Sequence, residues 1–167
     1  MKTTMKAGEI LALVSVGAHA VSAKTLDTKS RFRIFSFKDA LVKAAEELEK
    51  KERALLPECG IDDPQAFDRR LNELRSADDL TEEEAAELDG MTAKLGTLSG
   101  LRQQLREDDV TLDIKPIDCA AWFALRDENP SKDGHDPLPD WAERLLFGKL
   151  WTAPEDAPEQ PETAENV

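Results

Sequence analysis

The loop that follows residue 128 carries oxygen-bearing side chains at spacings that could bind a metal ion. When Asn129 is taken as position one of a calcium-binding loop, Ser131 and Asp133 fall at positions three and five. Asp140 then falls at position twelve. Such loops normally begin with Asp and end with a bidentate Glu, and both are missing here. We favour a surface turn with no metal; the alternative is a calcium site made by these four side chains.

Residue types that could perform catalysis are few. His19 lies in an apolar stretch and His135 in the loop, and no H-E-x-x-H, glycine-rich phosphate loop or G-x-S-x-G motif is present. Cys59 and Cys119 suit buried thiols in a reducing cytosol, or one disulfide outside it. We therefore predict a protein that is not an enzyme, with no catalytic residues and no cofactor.

The charge of the chain is unevenly distributed along its 167 residues. The formal net charge is −13, but residues 1–50 hold nine Lys and Arg against six Asp and Glu. An acidic surface repels phosphate backbones and attracts basic proteins, so we expect a protein partner and no direct nucleic-acid binding. No apolar run approaches the roughly 20 residues of a membrane-spanning helix, so we expect no membrane insertion.

Apolar periodicity predicts that long amphipathic helices position these residues. Two apolar seams of similar length predict helices over 29–56 and 81–107 that pack as an antiparallel hairpin. A shorter helix over 64–76 lies between them, with proline at its first position. The seams consist of Ile34, Phe37, Leu41, Ala44, Leu48 and Leu55, and of Leu88, Met91, Leu95, Leu98, Leu101 and Leu105. Gly96 and Gly100 within the second seam indicate a weak or kinked segment rather than a close backbone approach.

One short strand interrupts the helical pattern. Alternation of apolar and polar residues predicts a strand over 110–114, whose partner would be Arg31–Phe35 or the same strand of a second subunit. Helices over 119–128 and 139–151 follow. The three tryptophans of the chain lie in this last part and are the predicted interaction residues: Trp122, Trp141 and Trp151.

These elements predict one mainly α domain over residues 1–151, a helical hairpin or bundle with one or two short strands. Residues 152–167 contain three prolines, five acidic residues and no Lys or Arg. This composition predicts a disordered acidic tail.

The N-terminal segment admits two interpretations. Lys2 and Lys6 precede an apolar run, and small residues flank His19 and Ser22, a pattern typical of a cleaved signal peptide. The same residues form one apolar helical face, which predicts a retained helix over 7–23. We favour the retained helix and, with it, a protein of the cytoplasm. Secretion is the alternative.

Four pieces of the sequence occur in a recognisable order: "AGEILAL", "FKDALVKAAEELEKKERALLPECGI", "FDRRLNEL" and "VTLDIKPID". Together they resemble a family of small uncharacterised proteins encoded by tailed phages and prophages. The resemblance covers residues 7–118 and departs from the family at residues 76–109, which look like an insertion. It implies a phage or prophage origin and a protein made in the host cytoplasm, and it assigns no functional residues.

The expected function is therefore a phage-encoded helical protein that binds other proteins, in virion assembly or as an accessory factor. Its partner would be a phage or host protein, and self-association through an exposed seam or the unpaired strand is a further expectation. The alternative is an acidic inhibitor that imitates nucleic acid before a host defence machine. Carboxylates aligned on one face at phosphate-like spacing would favour that alternative.

Overall fold

A two-stranded antiparallel ladder joins the start of the chain to its middle in the computed structural model, which describes residues 2–130 and 139–152. β1 (Lys2–Lys6) pairs with β2 (Asp109–Asp113). The predicted strand is thus confirmed. Of its two predicted partners, Arg31–Phe35 is wrong, because it lies inside a helix. β1 was not predicted, because its sequence Lys-Thr-Thr-Met-Lys contains only one apolar residue. Thr3 and Met5 are nevertheless buried.

The remaining architecture is mainly helical, as the periodicity predicted. The helices are α1 (Ala7–Ser15), α2 (Thr28–Glu58), α3 (Pro64–Ser76), α4 (Glu82–Glu107), α5 (Cys119–Glu128) and α6 (Asp140–Leu150). Two further short strands, β3 (Ile117–Asp118) and β4 (Trp151–Thr152), pair in parallel at the ends of α5 and α6. Residues 153–167, where a disordered tail is predicted, lie outside the described residues, while Thr152 belongs to β4.

Side-chain caps determine where several helices begin. The Asp63 carboxylate accepts hydrogen bonds from the backbone amides of the first turn of α3, and Asp118 does so for α5. At α4, the Thr81 hydroxyl accepts from the Glu84 amide while the Glu84 carboxylate accepts from the Thr81 amide, which confirms the predicted capping box. These local motifs explain why the predicted helix starts agree closely with the structure.

The first helix is shorter than predicted. Instead of running to residue 23, α1 ends at Ser15, and Gly17 adopts a left-handed backbone with φ of 78°. A single 3₁₀ turn (Ala18–Ala20) and an extended segment follow. This change of direction allows Ala18, Val21 and Leu26 to be buried as well as the apolar face of α1.

The apolar residues divide into one large cluster and two small ones. The main core contains 21 of the buried residues and is formed by β1, α1, the first two thirds of α2, β2, β3, α5 and α6. Residues 55–101, which we call the helical arm, comprise the end of α2, α3 and the first part of α4. The arm is held by two clusters of three buried residues each, one around Leu98 and one around Met91.

α2 and α4 run antiparallel, as predicted for the hairpin, but they meet over a limited length. Leu98 packs beside Cys59, a free buried thiol, and Arg106 lies 3.9 Å from the carboxylate of Glu52. The N-terminal half of α4 packs on α3 instead, where Arg70 contacts Glu87. The second predicted seam is therefore shared between two neighbouring helices. The glycines within α4 face open space, which agrees with the prediction that no backbone approaches them.

Candidate interaction surface

Of the four predicted calcium ligands, Asn129 and Asp140 lie within the described residues. Asn129 ends α5, where its Oδ1 accepts from the Ser22 amide at 2.6 Å and its Nδ2 donates to the carbonyls of Ser22 and Leu125 at 2.7 Å. Its side-chain oxygen is therefore engaged in joining α5 to the N-terminal loop. Asp140 begins α6. Ser131 and Asp133 lie outside the described residues, and within those residues no group of three or more His, Cys, Asp or Glu could hold a metal.

The three tryptophans do not share one surface. Trp122 is 6% exposed and belongs to the main core, because α5 turns Ala121, Trp122 and Leu125 inward. Its prediction as an interaction residue is therefore wrong. Trp141 is 45% exposed, and Trp151 lies in β4. Phe123, adjacent to Trp122, points outward and is 53% exposed.

A different pair of aromatic residues stands out on α2. Phe32 and Phe35 are 64% and 58% exposed, although Ile34 and Phe37 on the same helix are buried. Phe32 and Phe35 are three residues apart and so lie on one face of the helix. That face points away from the main core. Most of the apolar area of both rings is consequently in contact with solvent.

Cationic side chains surround these rings. Arg31, Lys38 and Lys24 line, together with Phe35, a cavity of about 530 Å³. We call Lys24, Arg31, Phe32, Phe35 and Lys38 the cationic-aromatic surface. Residues 24–38 carry five Lys and Arg against one Asp, in a chain whose net charge is −13. The surface is therefore a local positive region, with exposed aromatic rings, of an acidic protein.

Two cations of this surface, Arg31 and Lys38, donate to backbone carbonyls. Arg31 Nη2 donates to the carbonyls of Lys24 at 2.6 Å and Leu26 at 3.1 Å, and Lys38 Nζ donates to the Val21 carbonyl. Within the described residues, none of these cations forms an ion pair. These cations therefore have no direct carboxylate partner, although the negative charge of the nearby Glu128 acts on Lys38.

Lys38 combines a cation with an aromatic neighbour. Its Nζ lies 5.5 Å from the centre of the Phe35 ring, a cation-π distance. Burial lowers the pKa of Lys38 below its ordinary value of 10.5, and the nearby Glu128 carboxylate opposes that shift. The contact holds the Phe35 ring beside the cavity without covering its outer face, which remains exposed.

The loop that forms the wall of the cavity is fixed by a carboxylate from α5. Glu128 accepts hydrogen bonds from Ser22 Oγ at 2.7 Å, the Lys24 amide at 2.5 Å, and the Thr25 amide and hydroxyl at 3.0 and 2.8 Å. Desolvation raises the pKa of Glu128, but these hydrogen bonds outweigh it and lower the pKa to about 2. The residues of the wall are therefore held in place before any ligand binds.

A second cavity lies in the helical arm and is chemically different. It has a volume of about 450 Å³ and is lined by Phe67 and Met91, among others. Its lining carries charges of both signs: Arg70 makes two hydrogen bonds to Glu87, Lys94 donates to the Gly60 carbonyl, and Asp62 and Asp63 also line the cavity. Unlike the cationic-aromatic surface, this cavity therefore has no excess of positive charge.

The acidic residues of the arm do not line up along α4. The acidic residues of the first two turns include Glu84 and Glu87, of which Glu84 caps the helix and Glu87 pairs with Arg70. Further along the helix the charged residues are mainly cations, among them Lys94 and Arg106. α4 therefore carries no continuous acidic face of the kind that imitation of a phosphate array requires.

The cationic-aromatic surface was not predicted, because the alternation at Phe32 and Ile34 also suits a strand over Arg31–Phe35. The signal was nevertheless present: Phe32 and Phe35 fall outside the seam through Ile34 and Phe37 and so cannot face the same core. Large apolar residues outside a helix seam, with Arg and Lys beside them, indicate an exposed apolar patch that could bind a partner.

Comparison with other proteins adds no assignment. No protein-family model, curated protein or solved structure matches this chain. Within residues 2–130 and 139–152, no helix has the length and apolar character needed to cross a membrane.

Proposed function

We propose that this chain is a non-enzymatic protein, encoded by a phage or prophage, that binds another protein through the cationic-aromatic surface. It acts in virion assembly or as an accessory factor. The observation that carries the proposal is the exposure of Phe32 and Phe35 on a helix whose other face is fully used by the main core.

The exposure of two neighbouring phenylalanines is informative because folding does not require it. Each ring leaves apolar area in water at about 25 cal/mol per Å², a cost that a binding partner removes by covering the ring. Exposed apolar patches with a polar rim are typical of protein interaction sites, and aromatic anchors commonly dominate their affinity. The rim of Lys24, Arg31 and Lys38 favours a partner whose contacting segment is acidic.

The proposed location is the cytoplasm of the host, or the virion. Met5, Ile10, Leu13 and Ala18 are buried in the main core, so cleavage after Ala20 would remove both β1 and α1 from it. This supports a retained N-terminal segment. The mass of the N-terminal peptide from the purified protein tests it: a chain that begins at Val21 or Lys24 would contradict the proposal. The phage origin rests on the order of the four sequence pieces that resemble phage proteins.

The test of function compares two variants of the tagged chain in prophage-induced or infected cells. Phe32→Ser with Phe35→Ser removes the aromatic part of the surface, and Phe123→Ser removes an equally exposed ring elsewhere. We expect the unmodified chain and Phe123→Ser to recover the same phage-encoded or host protein, identified by mass spectrometry, and the double variant to lose it. Equal recovery by all three chains would contradict the proposal.

Sedimentation at micromolar concentration separates a partner from self-association. Monomers of the unmodified chain, together with capture of another protein, support a hetero-complex. Dimers that the Phe32→Ser and Phe35→Ser double variant abolishes would show that this surface binds a second copy instead. Monomers with no captured protein would remove the proposed function.

A further inference from the structure

We propose that the acidic C-terminal segment, residues 153–167, binds to the cationic-aromatic surface of its own chain and competes there with the partner. The inference rests on the proposed function in one respect, because both place their ligand on the same surface. It names the chemistry of that ligand as an acidic, proline-containing peptide.

Charge complementarity is the first argument. Residues 153–167 carry five carboxylates and no Lys or Arg. The cationic-aromatic surface carries Lys24, Arg31 and Lys38, which form no ion pair within the described part of the chain. The acidic tail and the cationic-aromatic surface therefore attract each other, provided that the chain between them is long enough to permit contact.

The apolar chemistry of the two segments also matches. Three prolines are spaced through residues 153–167. Proline-containing segments dock against exposed aromatic rings because their extended conformation is already restricted and little entropy is lost on binding. Phe32 and Phe35 provide such rings, and the cavity beside Phe35 has a volume of about 530 Å³.

The position at which the described chain ends makes the contact possible. Thr152 pairs with Asp118 in the β3–β4 ladder. Two residues earlier, the Pro116 carbonyl accepts a hydrogen bond from Arg33 Nη1 at 3.0 Å. Thr152 therefore lies within about 25 Å of the first turns of α2, given a strand spacing near 5 Å, about 3.3 Å per strand residue and the length of the Arg33 side chain. Fifteen further residues can span up to about 50 Å, which is enough to pass around α2 to the rings.

The same tether favours this occupant over others. A segment joined to the chain by a short link has an effective concentration in the millimolar range, which exceeds that of a second copy at micromolar concentration. A nucleic acid would meet the same cations, but it lacks the covalent link that raises the local concentration of the tail. The tail of the same chain is therefore the occupant that both proximity and charge favour.

The experiment uses the full chain in two forms. A neutral-tail variant carries Glu155→Gln, Asp156→Asn, Glu159→Gln, Glu162→Gln and Glu165→Gln. The probe is a fluorescently labelled synthetic peptide with the native sequence of residues 153–167, followed by anisotropy at low salt. We expect the neutral-tail variant to bind the probe at least ~10-fold more tightly than the native chain, whose own tail occupies the surface.

Matched variants locate the site of binding. In the neutral-tail chain, Phe35→Ser should lower the affinity for the probe about 10-fold, and Phe123→Ser should leave that affinity unchanged. Lys24→Glu should also lower the affinity, and Lys51→Glu, on the C-terminal half of α2, should lower it less. Added salt should reduce binding, because the contact is partly ionic.

Several results would overturn the proposal. Equal probe affinity of the native and neutral-tail chains, or no effect of Phe35→Ser, would remove the tail from this surface. Probe binding by the native chain that strengthens on dilution would assign the occupant to the tail of a second copy. Tighter binding of a short single-stranded oligonucleotide than of the probe would make the surface a nucleic-acid site.

Failure of the tail proposal is distinguishable from failure of the proposed function. If Phe32→Ser with Phe35→Ser abolishes capture of a partner while the probe does not bind, the function stands and the tail does not occupy the surface. If the probe binds as expected but no partner is captured in any chain, the tail contact stands and the proposed function falls.

Discussion

The first half of α2 and the helical arm differ in how they use their apolar residues. The first half of α2 lies against a core of 21 buried residues and still exposes two phenylalanines among cations. The arm, residues 55–101, has two clusters of three buried residues and carries four Lys and Arg against twelve Asp and Glu. One region exposes aromatic rings although its core is complete. The other exposes carboxylates where little core exists.

The contrast separates residues needed for folding from residues available for binding. In the arm, few apolar residues are fully buried, and those that are pack α4 against the end of α2 or against α3. Beside the main core, packing is complete without Phe32 and Phe35. Regions with few buried contacts open at lower free energy than the core, so the arm should be the more mobile part and α2 the more rigid platform.

The largest expected effect on the free energy of unfolding comes from emptying a buried position of the main core, compared with a position in the helical arm. Leu41→Ala empties a fully buried position of the main core and should lower the free energy of unfolding by about 2–5 kcal/mol. Leu95→Ala, at a partly buried position of the arm, should lower it by about 1 kcal/mol. Urea denaturation followed by circular dichroism measures both. Equal losses would mean that Leu95 is packed as tightly as Leu41 and would remove the distinction.

Glu128 provides the next test, because it fixes the loop beside the cationic-aromatic surface. Its pKa in the folded chain is about 2, below the ordinary value of 4.5, so the ionised carboxylate stabilises the fold above about pH 4.5. That stabilisation is lost as the pH falls towards 2. Glu128→Gln should therefore be less stable than the unmodified chain at pH 7, and the difference should shrink between pH 4.5 and 2. Asp127→Asn, which removes the exposed neighbouring carboxylate, is the control and should cost less stability at pH 7.

Prediction from sequence succeeded where local rules decide the structure. The capping box at Thr81 and the Asp63 cap gave accurate helix starts, and the heptad spacing through Leu41 identified the buried face of α2. Prediction from sequence failed where contacts with residues distant in the chain determine the structure. A polar strand such as β1 becomes recognisable only through its pairing with β2, and the inward direction of Trp122 depends on how α5 packs against the rest of the core.

The candidate site was the least predictable part for the same reason. The wall of its cavity comes from residues 20–24, its rings from α2 and its fixing carboxylate from Glu128, more than 100 residues further along the chain. No local pattern joins these segments. The outward position of Phe32 and Phe35 could have been read from the seam, but the cavity beside them could not.

A third pair of substitutions, at two glycines of the arm, should change the free energy of unfolding by about 1 kcal/mol in opposite directions. Gly60 has φ of 68°, so Gly60→Ala should destabilise the chain by about 1–2 kcal/mol, the cost of a left-handed residue with a side chain. Gly96 faces open space within α4, and Gly96→Ala should stabilise it by about 0.5–1 kcal/mol. Hydrogen exchange should show slower exchange of α4 amides in Gly96→Ala. A destabilising Gly96→Ala would mean that the arm depends on a close approach at this glycine.

The smallest expected effect on folding belongs to the cationic-aromatic surface itself. Phe35→Ser removes a ring that is 58% exposed, so the free energy of unfolding should change by no more than about 0.5–1 kcal/mol, including the cation-π contact with Lys38. Phe37→Ala, two residues along the same helix, empties the main core and should cost about 3–5 kcal/mol. Because Phe35→Ser leaves the fold intact, any loss of partner or tail binding that it causes reports on the surface alone. If the two substitutions destabilise the chain equally, Phe35 serves folding, and the comparison between a complete core and a surface reserved for binding no longer holds.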